Sequence, residues 1–210
     1  MRRQVGRAEA GGVLAVRGAT ARGLKALVLA VALLAVTTAG AVPRPGELLP
    51  EFSTRDLLDR PHQSRELVGR PTLLVVITDK DGGDEMRRWF DTAETRVPES
   101  VHRASILTFK VPFFVSAGTV RGKAREKVPR AFWTDTWLDK NGAMGKSLGL
   151  ATSRTPYAFV LDARGRVVAA VHGTADAREA QAVWDALTRG SGGQGGSGTN
   201  VPSSGAGTVR

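Results

Sequence analysis

Apolar positions along this chain change their period, and each change marks an element. Pro71 to Thr78, PTLLVVIT, is a continuous run of Val, Leu and Ile, the pattern of a strand buried on both faces. After the acidic loop TDKDGGDE, Met86, Trp89 or Phe90, Ala93 and Val97 recur at helical spacing and predict a helix from Asp84. RASILTFKVPFFV reads as a second strand region, interrupted at Pro112. Val120, Ala124 and Val128 stand at i, i+4 and i+8 and predict a second helix, stopped by Pro129. AFWTDTWLD predicts a third strand, with Trp133 and Trp137 on one face as core aromatics, and KNGAMGKSLGL a turn and a short helix. Tyr157 to Leu161 and Val167 to Val171 flank an Asp-Ala-Arg-Gly turn and predict a hairpin. Ala180, Val183, Trp184 and Leu187 form the stripe of a last helix. Asp176 and Glu179 open it as a near capping box, and Gly190 stands at its C′ position. Ahead of all these, LLPEFSTRDLLDRPH predicts an extended piece ending near Pro61.

Strand, helix, strand, helix, strand, hairpin, helix is the order of an α/β domain with a mixed sheet covered by helices. This domain is expected over residues 45–189. Residues 190–210 are Gly/Ser-rich with almost no apolar content and are expected to be a disordered tail. Residues 1–41 have a third character. The uncharged run ALVLAVALLAV, Ala26 to Val36, follows Arg22 and Lys25 and precedes the small-residue triplet Ala39-Gly40-Ala41. That is the pattern of a secretory signal peptide; a spanning helix needs roughly 20 apolar residues. An uncleaved N-terminal membrane anchor is the alternative. The basic stretch before the apolar core is long for a signal, so translation starting further along, near Val13 or Val16, is a further expectation. An exported protein, periplasmic or held at the inner membrane facing outward, follows from either arrangement.

Charge refines this picture. The net charge is +10, and Arg2, Arg3, Arg7, Arg17, Arg22 and Lys25 against Glu9 alone carry half of it. The basic balance therefore gives the folded domain no reason to bind nucleic acid. It leaves membrane association to the N-terminal apolar segment. The chain has no cysteine, so no disulfide supports the fold and no lipoprotein anchor is attached through one.

Four local words resemble the thioredoxin-like superfamily, in its exported redoxin, peroxiredoxin-like and YtfJ-like branches. They are LPEFSTRDLLDRP, ELVGRPTLLVVIT, WLDKNGAMGKSLGL and TPYAFVLDARGRVVAAVHG, and they run in the order of that fold from about Leu49 to Leu187. The resemblance implies a thioredoxin-like mixed sheet flanked by helices. It also implies that reactive thiols would lie just after the first core strand, at a helix N-terminus that lowers their pKa. Here that place holds DKDGGDE, Asp79 to Glu85. Without a thiolate there is no thiol–disulfide exchange and no thiol-based peroxide reduction. The expected function is then a binding or accessory module recognising an extended peptide or a partner protein. In relatives the backbone before the hairpin proline pairs with such a peptide, which makes Thr155 and Pro156 candidate contacts by strand addition. Asp81 and Asp84 join them as acids of the neighbouring loop, and both also suit the start of a helix as cap or first-turn residues.

LLVVITDKDGG also resembles the first motif of haloacid-dehalogenase-like phosphatases. On that alternative Asp79 is the nucleophile, Asp81 the acid/base, and Mg²⁺ lies between them. Gly83 departs from that motif, and no later strand ends in a paired acidic motif. His62, His102 and His172 are far apart and lack ligand spacing, so no metal and no cofactor are expected. RGKAREKVPR is expected to be the wet face of its helix, with an anionic partner or membrane surface as the alternative.

Overall fold

The computed structural model describes residues 41–192. The expected leader, apart from Ala41, and the tail beyond Gly192 lie outside the described residues. Among those described, no helix is long and apolar enough to cross a membrane.

The fold is a seven-stranded mixed sheet in the order β2-β1-β5-β4-β3-β6-β7. Strands β1 (Ser53–Asp56) and β2 (Pro61–Gln63) form an antiparallel hairpin. Strands β3 (Thr72–Ile77), β4 (His102–Thr108) and β5 (Thr136–Asp139) are parallel. Helices α1 (Gly83–Arg96) and α2 (Ala117–Lys127) make the two crossovers. Helix α3 (Ala143–Ser147) precedes the hairpin of β6 (Tyr157–Leu161) and β7 (Val167–His172), and α4 (Gln181–Gly192) ends the described chain. The α/β architecture and its mixed sheet are as the hydrophobic pattern predicts.

Every residue of β3 is buried, because it is central and covered on both faces. Leu73, Val75 and Ile77 point into one core, shared with Met86, Trp89 and Ala93 of α1 and Val183, Trp184 and Leu187 of α4. Leu74 and Val76 point into the other, shared with Leu67, Trp137, Met144, Leu148 and Phe159. In the first core the Trp89 and Trp184 rings lie 4.9 Å apart between centroids. Each indole N–H finds a carbonyl, Trp89 that of Gly173 and Trp184 that of Ala175, both at 3.0 Å. Burial of the rings therefore leaves no donor unpaired.

Several boundaries differ from the sequence expectation. AFWTDTWLD is strand only from Thr136; residues Arg130–Phe132 form a 3₁₀ turn. Trp133 therefore lies off the strand, packed against the first core, while Trp137 lies in the second. Strand β4 stops at Thr108, well before Pro112. The extended piece before Pro61 turns back on itself, because buried Asp56 accepts the N–H groups of Leu58 and Arg60, both at 2.8 Å. The last helix opens through a 3₁₀ turn, Arg178–Ala180, with no side-chain cap at Ala177. Asp176 instead turns to Thr174 and its own N–H, which hold its carboxyl below the usual range. Gly190 lies within α4 and does not end it. Its φ is not positive, so it lacks the left-handed conformation of a C′ glycine.

Truncating Trp184 to Ala should cost about 3–5 kcal/mol of stability, the usual range for a buried aromatic. Urea unfolding followed by far-UV circular dichroism measures it, and a loss under about 1 kcal/mol would show that the Trp89–Trp184 pair does not hold α4 to the sheet.

Candidate functional site

The C-terminal ends of the parallel strands and the start of β6 meet at one end of the sheet. Thr78 follows β3 directly and is buried. Its Oγ1 accepts the Ser153 N–H at 2.9 Å, and its proton faces the carbonyls of Ala151 at 3.0 Å and Ser153 at 3.3 Å. One hydroxyl thus fixes the loop that carries Thr155 and Pro156 to the end of the central strand. The second tie is steric. A Cβ on Gly82 would lie 3.0 Å from the Arg154 carbonyl oxygen, so only glycine lets the loop after β3 approach this closely without a shift.

The acidic loop follows β3 directly and leads into α1, the place where the sequence resemblance implies thiols. Asp79 caps a 3₁₀ turn, Lys80–Gly82, by accepting the Asp81 N–H at 2.9 Å. The cap is therefore Asp79, and neither Asp81 nor Asp84 fills that role. Helix α1 follows from Gly82 with no side-chain cap. Asp81 accepts from Lys80 Nζ at 2.8 Å and faces the Arg154 guanidinium at 3.6 Å. The Lys80 hydrogen bond holds the Asp81 carboxyl below its usual range, and the same bond raises the Lys80 ammonium. All three side chains are exposed, so this latch orients charge across the two loops and adds little stability. Asp84 lies elsewhere, at the mouth of a cleft between α1 and α2.

Thr155 donates its N–H to Ser153 Oγ at 3.0 Å, and that oxygen also meets His172 Nε2 at 3.0 Å. The His172 ring stacks on Tyr157 with centroids 4.1 Å apart. Pro156 is buried, and its carbonyl accepts from Gly173. Strand β6 lies between β3 and β7 and offers no free edge of its own. The outer edge of β7 is met at its start by the chain's own residues 46–48, with Val167 N–H to Glu47 O at 2.8 Å. At this end of the sheet the Thr155 N–H is the candidate donor for strand pairing, and it is held within the loop.

The structure adds two residues that strand assignment hid. Phe113 and Phe114 lie in the loop between β4 and α2, 93% and 76% exposed, edge to face with centroids 5.7 Å apart. This loop leaves the same end of the sheet as the acidic loop. The Val111 N–H bonds to the Lys140 carbonyl and Lys140 Nζ to the Val115 carbonyl, which secures both ends of the aromatic tip. Adjacent Phe residues after a proline were the available signal, since two neighbours in a strand cannot both face one core.

The Mg²⁺ hydrolase alternative finds no support here. Asp79 is committed to its own turn and Asp81 to cations, so the two carboxylates do not converge. No group of three or more His, Asp or Glu side chains suited to a metal ion occurs among the described residues. Each histidine is held by protein groups: His62 by Asp56 and Glu66, His102 by Asp135, and His172 by Ser153. The His102 bond, at 2.7 Å, holds the Asp135 carboxyl below its usual range.

No protein-family model and no curated protein matches the sequence. Solved structures do. BsSco, a member of the Sco family of cytochrome c oxidase assembly proteins with a disulfide switch, is similar at 12% identity and a TM-score of 0.52, over 72% of this chain and 98% of that one. The exposed lipoprotein thioredoxin of Streptococcus pneumoniae is similar at 10% identity and 0.48, over 66% and 98%. A thiol peroxidase from Chromobacterium violaceum is similar at 19% identity and 0.48, over 73% and 91%. The fold is thioredoxin-like, and this chain holds it with no cysteine.

Replacing Thr78 by Val keeps the shape and removes the hydroxyl. The Ser153 N–H then loses its partner at a cost of about 1–3 kcal/mol. Hydrogen exchange at Ser153 should accelerate while the centre of β3 stays protected. Unchanged exchange at Ser153 would show that Gly82 and His172 hold the loop without Thr78.

Proposed function

We propose that this thioredoxin-fold protein is an exported binding module that performs no thiol chemistry and docks a partner protein at the loop end of its sheet. The observation that carries this is the pair of Phe rings standing almost fully in solvent beside the two loops. Large exposed apolar side chains on a loop with anchored ends cost solvation and gain nothing within the chain, and aromatic anchors of this kind dominate protein–protein contacts. An extended segment of the partner would run past Thr155 and Pro156. Its backbone would take over the Thr155 N–H from Ser153 Oγ, a local exchange of one hydrogen bond for another. The Lys80–Asp81–Arg154 latch presents both signs of charge and would favour a polar partner segment over a purely apolar one. Phe113 and Phe114 would supply the apolar grip.

Export rests on the leader. The basic stretch, the apolar run from Ala26 and the small-residue triplet ending at Ala41 support either a cleaved signal or an outward-facing anchor. Residues 1–41 fused to an alkaline phosphatase that is active only outside the cytoplasm should give activity in a bacterial host. An inactive fusion that is nevertheless produced would remove export.

For the binding surface, linear peptides selected from a displayed random library on the full chain provide the test. Their affinity should fall about tenfold or more for the Phe113→Ser/Phe114→Ser double variant and for Asp81→Arg, the size of loss expected of an interface anchor. It should hold for Val168→Ser, on the outer strand β7. Equal binding by all three variants, or a selection that yields no peptide, would overturn the proposed surface.

A further inference from the structure

A concavity lies on the face of the sheet beneath α1 and the end of α2. It is a cleft of about 360 Å³, within the range of small-molecule sites of roughly 300–1,000 Å³. Met86, Phe90, Val128 and Phe132 give it apolar walls. Its floor is the start of β4 and β5, where Ser105 Oγ donates to Thr136 Oγ1 at 3.0 Å. Arg103 enters from β4. Its guanidinium makes one long contact, from Nη2 to the Ala93 carbonyl at 3.4 Å, and its buried Nε has no partner.

A half-buried guanidinium without a carboxylate is an open electrostatic valence, because burying charge is costly unless it is paired. Asp135 shares the cleft but does not serve. Its Oδ1 takes the His102 bond at 2.7 Å and its Oδ2 the Thr134 hydroxyl at 3.3 Å. At the rim the acids Asp84 and Asp91 are matched in number by Arg87 and Lys127, and among the ion pairs of the described residues none joins either acid to Arg103. Arg103 is therefore the charge on the floor still free to select a ligand.

We propose that this cleft binds a small amphipathic monocarboxylate, with the carboxylate on Arg103 and the apolar body between Phe90, Phe132, Met86 and Val128. The planar donor fork of arginine matches a carboxylate, and the wall residues match an aliphatic chain or an aromatic ring equally. The site is separate from the partner surface proposed above and stands or falls independently of it.

Isothermal titration of the full chain with decanoate and with 2-naphthoate tests it, decanol serving as the uncharged counterpart of decanoate. At least one acid should bind saturably at one per chain, the more tightly bound acid identifying an aliphatic or an aryl ligand. Decanol should bind about tenfold more weakly than decanoate if the aliphatic acid is the ligand. Arg103→Gln should weaken the bound acid about tenfold, and Phe132→Ala, at a position 40% exposed, should weaken it too. In the unaltered protein the Arg103 Nε–H resonance should shift on adding the acid, a readout that needs no variant. Absence of saturable binding by both acids, an Arg103 Nε–H resonance that does not move, or a folded Arg103→Gln variant that binds as well as the unaltered chain would each overturn the site.

Discussion

Two-sided burial of β3 is the constraint on which the rest of this molecule depends. A strand with Leu73, Val75 and Ile77 on one face and Leu74 and Val76 on the other cannot lie at an edge or at the surface. It needs neighbours on both sides and helices or loops over both faces. The parallel partner β4 comes through a helical crossover, and the antiparallel partner β6 comes from the hairpin. Once β3 is central, its C-terminal end must open into a loop at the rim of the sheet, and that loop must face the start of β6. The meeting of Gly82 with the Arg154 carbonyl is the geometric consequence.

This explains why the middle of the fold was legible in the sequence and its margins were not. The α1 stripe carries a helical period, and PTLLVVIT and the proline hairpin are short β-branched apolar runs bounded by turn residues. The margins depend on single side chains acting at a distance. Nothing local announces that Asp56 will be buried and fold the chain back at Arg60. Nothing separates Trp133 from Trp137 except that the chain has only just left a 3₁₀ turn at the former and enters the strand at Thr136. Helix α1 begins at Gly83, one residue before the expected Asp84, and only the capping acid differed, for a related reason. An acid near a helix N-terminus is favourable at several positions, so composition could not choose Asp79 over Asp81 or Asp84.

The candidate site was legible in part for the same physical reasons. Thr155, Pro156 and Asp81 come together because the hairpin and the β3 loop are both anchored to the central strand. Asp84 does not join them, since it lies in the first turn of α1, where the backbone has already rotated toward the cleft. Phe113 and Phe114 were hidden by an apolar run that looked like continuous strand. Arg103 was hidden because an arginine on a strand is unremarkable until its neighbours prove unable to neutralise it.

The lack of cysteine takes on a definite structural meaning in this setting. A thiolate at a helix N-terminus uses the open backbone donors and the dipole of that helix to remain ionised. Here the turn before α1 is closed by Asp79, and Gly82 is pressed against the opposite loop. The Lys80 hydrogen bond holds the Asp81 carboxyl below its usual range. The Asp81 carboxylate faces the Arg154 guanidinium of the opposite loop, so charge at this end joins two loops. What the same end of the sheet still offers is shape, in a fixed loop before Pro156, a short-range pair of charges and two solvent-facing rings. Those are the features on which the proposed docking of a partner rests.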